Sequence, residues 1–181
     1  MSETDTSVED ACRDTVAGLL RSVPDFPEPG ILFWDLTPVL ADAAGFAALT
    51  DLLAAQAGDA DVVVGIEARG FLLGAAVARA LGLGIVTVRK PGKLPVVAAS
   101  ESYDLEYGSA TLQLPADVLR PGARALLVDD VLATGGTAAA ACALVEKAGA
   151  RVAGLAVALE LLALHGRARL GDRRVVALLG R

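Results

Sequence analysis

Apolar positions along the chain follow two spacings, and the switches between them mark the elements. Val8, Cys12, Val16, Leu19 and Leu20 recur at helical intervals. Ahead of them, Ser7-Val8-Glu9-Asp10 has the form of a helix N-cap with acids in the first turn. Residues 1–6 are polar and read as a flexible tail. Over 23–30 the prolines Pro24, Pro27 and Pro29 forbid a helix, and a short apolar segment follows over 31–36. A second helix is predicted over 45–56, with Phe46, Leu49 and Leu53 facing inward.

The pattern then changes to unbroken apolar runs of strand length. Residues 61–66 form the first, as expected of a parallel strand covered on both faces. A turn, Glu67-Ala68-Arg69-Gly70, leads into a helix over 71–81, and a second buried strand covers 84–88. Residues 90–107 are polar and contain Pro91, Gly92 and Pro95. They read as a lid or binding loop of about 90–110 whose edges pair with a strand over 110–114. The strand–turn–helix unit then recurs: a strand over 124–128, a turn of small residues over 129–136, and an alanine-rich helix over 137–148 stopped by Gly149. Further strands are expected over 151–159 and 174–179. Strands alternating with helices predict an α/β fold, a mainly parallel twisted sheet with helices on both faces. No repeat or low-complexity linker interrupts it, so residues 7–181 read as a single domain.

Composition narrows the function classes. The chain is 54% hydrophobic but only 4% aromatic, so its core is aliphatic. The net charge of −6 argues against a general nucleic-acid binder, which needs the opposite sign to meet phosphates. An anionic ligand must instead be met by local cations, and Arg89, Lys90 and Lys93 supply a cluster. Cys12 and Cys142 lie in apolar helical patterns and read as packing residues. His165 has no partner at ligand spacing and reads as a solvated turn residue. The N-terminal residues lack the basic and apolar regions of a secretory signal. The apolar run near the C-terminus is broken by Glu160 and is too short to span a bilayer. The expected setting is cytoplasmic, with no membrane and no nucleic acid as partner.

Ligands of such sheets bind at the carboxyl ends of the strands, where three polar turns fall: 67–70, 89–93 and 129–137. The last carries the most chemistry. Asp129 and Asp130 follow an apolar strand at once, and adjacent carboxylates suit sugar hydroxyls, directly or through a hydrated divalent cation. Ala133, Thr134, Gly135, Gly136 and Thr137 then lead into a helix. Small residues let backbone N–H groups approach an anion, and the helix N-terminus adds partial positive charge. The combination reads as a cradle for a sugar phosphate. It is no Walker loop, because no Gly-Lys-Ser/Thr follows.

These residues resemble the phosphoribosyl-pyrophosphate signature of the type I phosphoribosyltransferases. The resemblance extends over about 21–179 through Pro24-Asp25-Phe26-Pro27, Asp35-Leu36-Thr37-Pro38, Glu67-Ala68-Arg69-Gly70-Phe71, Arg89-Lys90-Pro91-Gly92-Lys93 and Ser102-Tyr103-Asp104-Leu105-Glu106-Tyr107-Gly108. The first and last of these blocks point to the adenine branch. The resemblance implies transfer of the phosphoribosyl group of phosphoribosyl pyrophosphate to adenine, giving AMP and pyrophosphate, in purine salvage. It implies Mg2+ bound mainly through phosphoribosyl pyrophosphate, with no protein metal site, and a homodimer in which a residue near Arg89 and Lys90 reaches across. It further implies that Asp129 and Asp130 hold the ribose hydroxyls and that 133–137 hold the 5′-phosphate. Glu67, Ala68 and Arg69 would form the turn at the pyrophosphate, with a cis Glu67–Ala68 peptide.

By the same resemblance Arg89, Lys90 and Lys93 neutralise the leaving pyrophosphate, Glu106 handles the proton at adenine N7 or N9, and Tyr107 belongs to the lid. Adenine would lie under a hood of about 21–38, read through backbone groups near Leu32 and Trp34, with packing from Phe33 and Leu161. Trp34 departs from the family pattern, which has Arg or Lys there. Two alternatives stay open: a transferase for another nucleobase, and a regulator that senses phosphoribosyl pyrophosphate without turning it over.

Overall fold

A computed structural model describes residues 3–104 and 108–181, and the chain divides into two compact units, 1–52 and 53–181. The first unit opens with α1 (Glu3–Leu19). This helix begins ahead of the cap expected at Ser7 and takes in residues read as tail. Val16 on its inner face is fully buried, while Val8 is exposed.

Next comes an antiparallel hairpin of β1 (Arg21–Pro24) and β2 (Leu32–Asp35). The proline-rich segment thus contributes a strand that periodicity did not show. A two-stranded ribbon has free edges on both strands, and Pro24 is tolerated there. The connecting loop is tied by its own groups. Asp25 stands at φ +55° and its carboxylate accepts from Gly30 N–H at 2.7 Å. Phe26–Pro27 is cis, and the Phe26 and Phe33 rings meet edge to face at 5.2 Å. Arg21 closes the open end of the hairpin on the Asp35 carboxylate.

Two helices follow, α2 (Thr37–Ala41) and α3 (Ala43–Ala54). Leu49 and Leu53 of α3 are fully buried as the pattern predicted, and Phe46 is half-buried. Gly45 is required by close packing, since a Cβ there would fall 2.4 Å from Leu19 Cδ1.

The second unit holds a five-stranded parallel sheet in the order β4-β3-β7-β8-β9, made of β3 (Val62–Ile66), β4 (Gly84–Val88), β7 (Arg124–Leu132), β8 (Arg151–Glu160) and β9 (Val175–Gly180). An antiparallel hairpin of β5 (Val97–Asp104) and β6 (Ser109–Pro115) stands beside it. The α/β fold with a parallel sheet is the one expected. Alternation along the strands divides two covered faces. Val64, Ile66, Val86, Val88, Leu127 and Val157 face a core shared with α5 (Gly136–Lys147) and with Leu112 and Leu114 of β6. Val63, Gly65 and Ile85 take the other face. There Gly74 of α4 (Gly70–Leu81) comes so close that a Cβ would lie 3.1 Å from Ile85 Cδ1. Each fully buried leucine of these layers contributes about 1.5–3 kcal/mol.

At the amino ends of the strands, the Asp61 carboxylate accepts from Arg124 N–H, Nε and Nη2 at 2.7–3.0 Å. That clamp fixes β3 against β7 and leaves the carboxyl ends free for chemistry. One boundary differs from expectation in a way that matters. The strand predicted to stop at Val128 runs on to Leu132, because Asp129, Val131 and Leu132 pair with Val157, Leu159 and Glu160 of β8. The two acids are strand residues, not turn residues. Cys142 is fully buried in α5, where burial pushes its thiol up to about 11, which keeps it a packing residue. His165 is exposed in a left-handed turn.

Candidate active site

A cleft of about 340 Å³ opens at the carboxyl ends of β3, β4 and β7. It is lined by Glu67, Ala68 and Arg69 after β3, by Lys90 after β4, by Asp129 and Asp130 on β7, and by Ala133, Thr134, Gly135 and Thr137 at the start of α5. The three polar turns do converge.

The chain reaches this geometry through a few close approaches. Gly70 begins α4 directly behind β7, where a Cβ would fall 2.6 Å from Val128 O and 2.9 Å from Asp129 Oδ1. Gly135 holds φ +81° as the residue before α5, a conformation glycine adopts without the Cβ clash. The helix therefore starts at Gly136 with its first N–H groups unpaired by the helix itself. Gly135 also packs on Gly166, whose carbonyl oxygen lies 2.2 Å from a Cβ built at 135. The Glu67–Ala68 peptide is cis.

Charges in the cleft are arranged in pairs. Arg69 Nε donates to Asp130, which is almost fully buried, while the rest of the Arg69 side chain stays about half exposed. Asp129 Oδ1 accepts the Asp130 N–H at 2.9 Å. Burial raises the Asp129 carboxyl well above the usual range, and the negative charge of Asp130 raises it further. Glu67 Oε2 accepts Lys90 N–H at 2.8 Å and lies 3.6 Å from Arg89 Nε. Glu67 thus ties the turn after β3 to the loop after β4. Thr137 Oγ1 donates to the Tyr103 hydroxyl at 3.0 Å.

Not every residue singled out in the sequence reaches the cleft. Arg89 turns away: its guanidinium stands 5.5 Å from the Phe71 ring centroid and donates to Lys93 O at 3.4 Å. Lys93 is exposed and does not line the cleft, and Gly136 is buried at the helix start. Leu32, Phe33 and Trp34 lie on β2 in the first unit, and Leu161 follows β8 in the second, its N–H bonded to Leu132 O at 2.9 Å. Glu106 and Tyr107 lie outside the described residues. Val131, Leu132, Ala138 and Val157 also line the cleft and were not singled out. Val131 and Leu132 enter the lining because β7 continues past its two acids in pairing with β8.

Among the described residues, no three His, Cys, Asp or Glu side chains gather to hold a metal. The Asp130 carboxylate is engaged by Arg69, and one Asp129 oxygen by a backbone N–H. Such a donor set fits a hydrated magnesium ion carried on ligand oxygens, touching the protein at one or two carboxylate atoms, better than a cage of protein ligands.

Comparison with known proteins converges on the same region. The family model for the phosphoribosyl transferase domain matches residues 38–176. An adenine phosphoribosyltransferase of Saccharopolyspora erythraea is 59% identical over 94% of this chain and 93% of its own length. That of Clavibacter sepedonicus is 57% identical over 94% and 90%. Among solved structures, the adenine phosphoribosyltransferase of Thermoanaerobacter pseudethanolicus superposes with a TM-score of 0.89 at 42% identity, covering 93% of this chain and 99% of that one. The enzyme of Saccharomyces cerevisiae, solved with an imino-altritol bisphosphate and adenine, gives 0.88 at 38% identity over 94% and 99%. With its two strand-end acids, its glycine-bearing cradle and this similarity along most of its length, the chain belongs to the adenine phosphoribosyltransferase family.

Proposed function

We propose that the protein transfers the phosphoribosyl group of phosphoribosyl pyrophosphate to adenine, giving AMP and pyrophosphate in purine salvage. The observation that carries this reading is the placing of Asp129 and Asp130 in one cleft with the first turn of α5. A sugar phosphate laid along that cleft meets carboxylates at its hydroxyls and helix N–H groups at its phosphate.

In the reaction, adenine N9 forms a bond to the anomeric carbon, and the bond from that carbon to the pyrophosphate oxygen breaks. The pyrophosphate leaves with the electron pair, and the N9 proton goes to a base. Positive charge grows on the sugar ring and negative charge on the leaving oxygens. Asp129 and Asp130 hold the ribose hydroxyls, and Ala133, Thr134, Gly135, Gly136 and Thr137 hold the 5′-phosphate. Lys90 and the free face of Arg69 meet the growing negative charge, and cations placed there lower the barrier. Arg89 and Lys93 extend this positive field from the same loop, and Glu67 and Ala68 shape the turn beneath it. Mg2+ supplies charge neutralisation on the pyrophosphate. Glu106 takes the proton and Tyr107 helps close the lid over 90–110, which excludes water. Leu32, Phe33 and Trp34 of the hood over 21–38 are assigned to adenine recognition, and Leu161 is assigned to packing on the base. Residues 7–181 act as one catalytic domain.

The protein is proposed to act as a homodimer in the cytoplasm. Leu72 and Ile85, both exposed near the edge strand β4, supply apolar surface for association. Among the described residues no helix is long and apolar enough to cross a membrane. One experiment tests the activity: incubation with phosphoribosyl pyrophosphate, Mg2+ and a panel of bases, with chromatography of the products. AMP and pyrophosphate are expected. A faster reaction with guanine or a pyrimidine would reassign the base. Binding of phosphoribosyl pyrophosphate with no nucleotide formed from any base would favour a sensor.

A further inference from the structure

Tyr103 falls within the 90–110 segment but has no role of its own in the reaction as set out above. It lies on β5 opposite Ala110 of β6, and its half-buried side chain packs against the core that α5 shares with the sheet. Its hydroxyl meets Thr137 Oγ1 at 3.0 Å. Thr137 is the second residue of α5 and lines the cleft. The hairpin is therefore joined to a cleft-lining residue of α5 by a side-chain hydrogen bond.

We propose that Tyr103 is a positioning residue for the sugar phosphate: it holds the Thr137 hydroxyl toward the cradle and supplies a proton to it when phosphate is bound. The inference rests on the reading that 133–137 hold a phosphate monoester. A threonine hydroxyl has one proton and two acceptor pairs. In this structure that proton is donated to the Tyr103 oxygen. A phosphate oxygen carries charge and accepts more strongly than a phenol. On binding, the Thr137 proton swings to the phosphate, and Thr137 Oγ1 then accepts from the Tyr103 O–H. Two hydroxyl rotations complete the chain from Tyr103 through Thr137 to phosphate, and each bond polarises the next.

Ribose 5-phosphate, AMP and phosphoribosyl pyrophosphate all carry the 5′-phosphate, whereas adenine and pyrophosphate do not. Tyr103→Phe should therefore weaken the first three alike and leave the last two unchanged. One hydrogen bond to a charged chain corresponds to a loss of about five- to tenfold. The variant should fold, because Lys147 of α5 also pairs with Glu101 of β5 and holds the hairpin to the helix independently.

The test is titration calorimetry with ribose 5-phosphate on four proteins: wild type, Tyr103→Phe, Thr137→Val and the double variant. Melting temperatures and KM for adenine are measured alongside. The expected result is a five- to tenfold weaker Kd in Tyr103→Phe, an unchanged adenine KM, and no further loss when Tyr103→Phe is added to Thr137→Val. Losses that multiply in the double variant would overturn the proposal, as would an unchanged Kd in Tyr103→Phe. Equal weakening of adenine would overturn it too, by showing a general effect on the hairpin. The calorimetry needs no turnover: wild type that binds ribose 5-phosphate but forms no AMP from adenine and phosphoribosyl pyrophosphate would defeat the base assignment alone, and wild type that does not bind ribose 5-phosphate would defeat both.

Discussion

Gly166 carries no functional group, yet replacing it with alanine should damage the phosphate end of the cleft. It opens the 3-10 turn Gly166–Leu170 that follows β8, and it is buried against the cradle. A Cβ at 166 would fall 2.0 Å from Ala133 O and 2.9 Å from Gly135 N. The first of these is about 1.4 Å short of ordinary van der Waals contact, in an interior packed too densely to absorb it. Both atoms belong to the backbone, so no side chain can rotate aside. Either the cradle moves or the 3-10 turn does. The turn is held by Arg167, which grips the buried Glu160 carboxylate through Nε and Nη2 at 2.5–3.2 Å and donates from Nη1 to Val175 O at 2.6 Å. The cradle is therefore the part that yields. Displacing a binding group by about 1 Å costs on the order of 100-fold in rate, and overpacking of this kind costs about 1–3 kcal/mol of stability. The assay is the initial rate of AMP formation with adenine saturating and phosphoribosyl pyrophosphate varied, with melting followed in parallel. The expected outcome for Gly166→Ala is a kcat/KM for phosphoribosyl pyrophosphate lowered about 100-fold, with a lower melting temperature. A kcat/KM within about twofold of wild type would refute the argument that this contact sets the cradle.

Three further outcomes follow from the charges and the hood. Burial raises the Asp129 carboxyl, so the folded state prefers it protonated and loses that stability as pH rises through the raised value. Asp129→Asn should then melt higher than wild type at pH 7, with a gap that narrows toward pH 4, while binding ribose 5-phosphate more weakly; a gap independent of pH counts against the assignment. Asp35 is lowered from 3.8 to about 2, first by hydrogen bonds from Thr37 and then by Arg21. Its contribution is present above 3.8 and fades as pH falls through about 2, so Asp35→Asn should melt lower at pH 7 and match wild type as pH falls below 3.8 toward 2; a deficit unchanged by acid would dismiss the charge as its source. Trp34→Arg should retain adenine turnover under the proposed readout of the base through backbone groups, which a change of side chain leaves in place; loss of turnover would place the indole itself in base recognition.

What the sequence disclosed was local, and what it concealed was set by distant partners. The strand over 84–88 and the helix over 71–81 were legible because an apolar run and its bounding turn lie within a dozen residues. The start of α5 was legible for the same reason, as a turn of small residues and an alanine-rich helix follow one another in order. The extension of β7 through Asp129 and Asp130 was not, because it depends on pairing with β8 nearly thirty residues away. Gly166 was silent because the backbone it must clear is that of Ala133 and Gly135. The basic loop shows the same limit most sharply. Arg89, Lys90 and Lys93 read as one cluster because they are neighbours in sequence. Successive side chains on extended backbone point to opposite sides, and Arg89 is extended, bonded through N–H and C=O to Gln113 of β6. Its guanidinium therefore goes to Phe71 and Glu67 while Lys90 faces the cleft. Of the three cations, Lys90 alone lines the cleft, while Arg89 faces Glu67, whose carboxylate in turn accepts the Lys90 N–H.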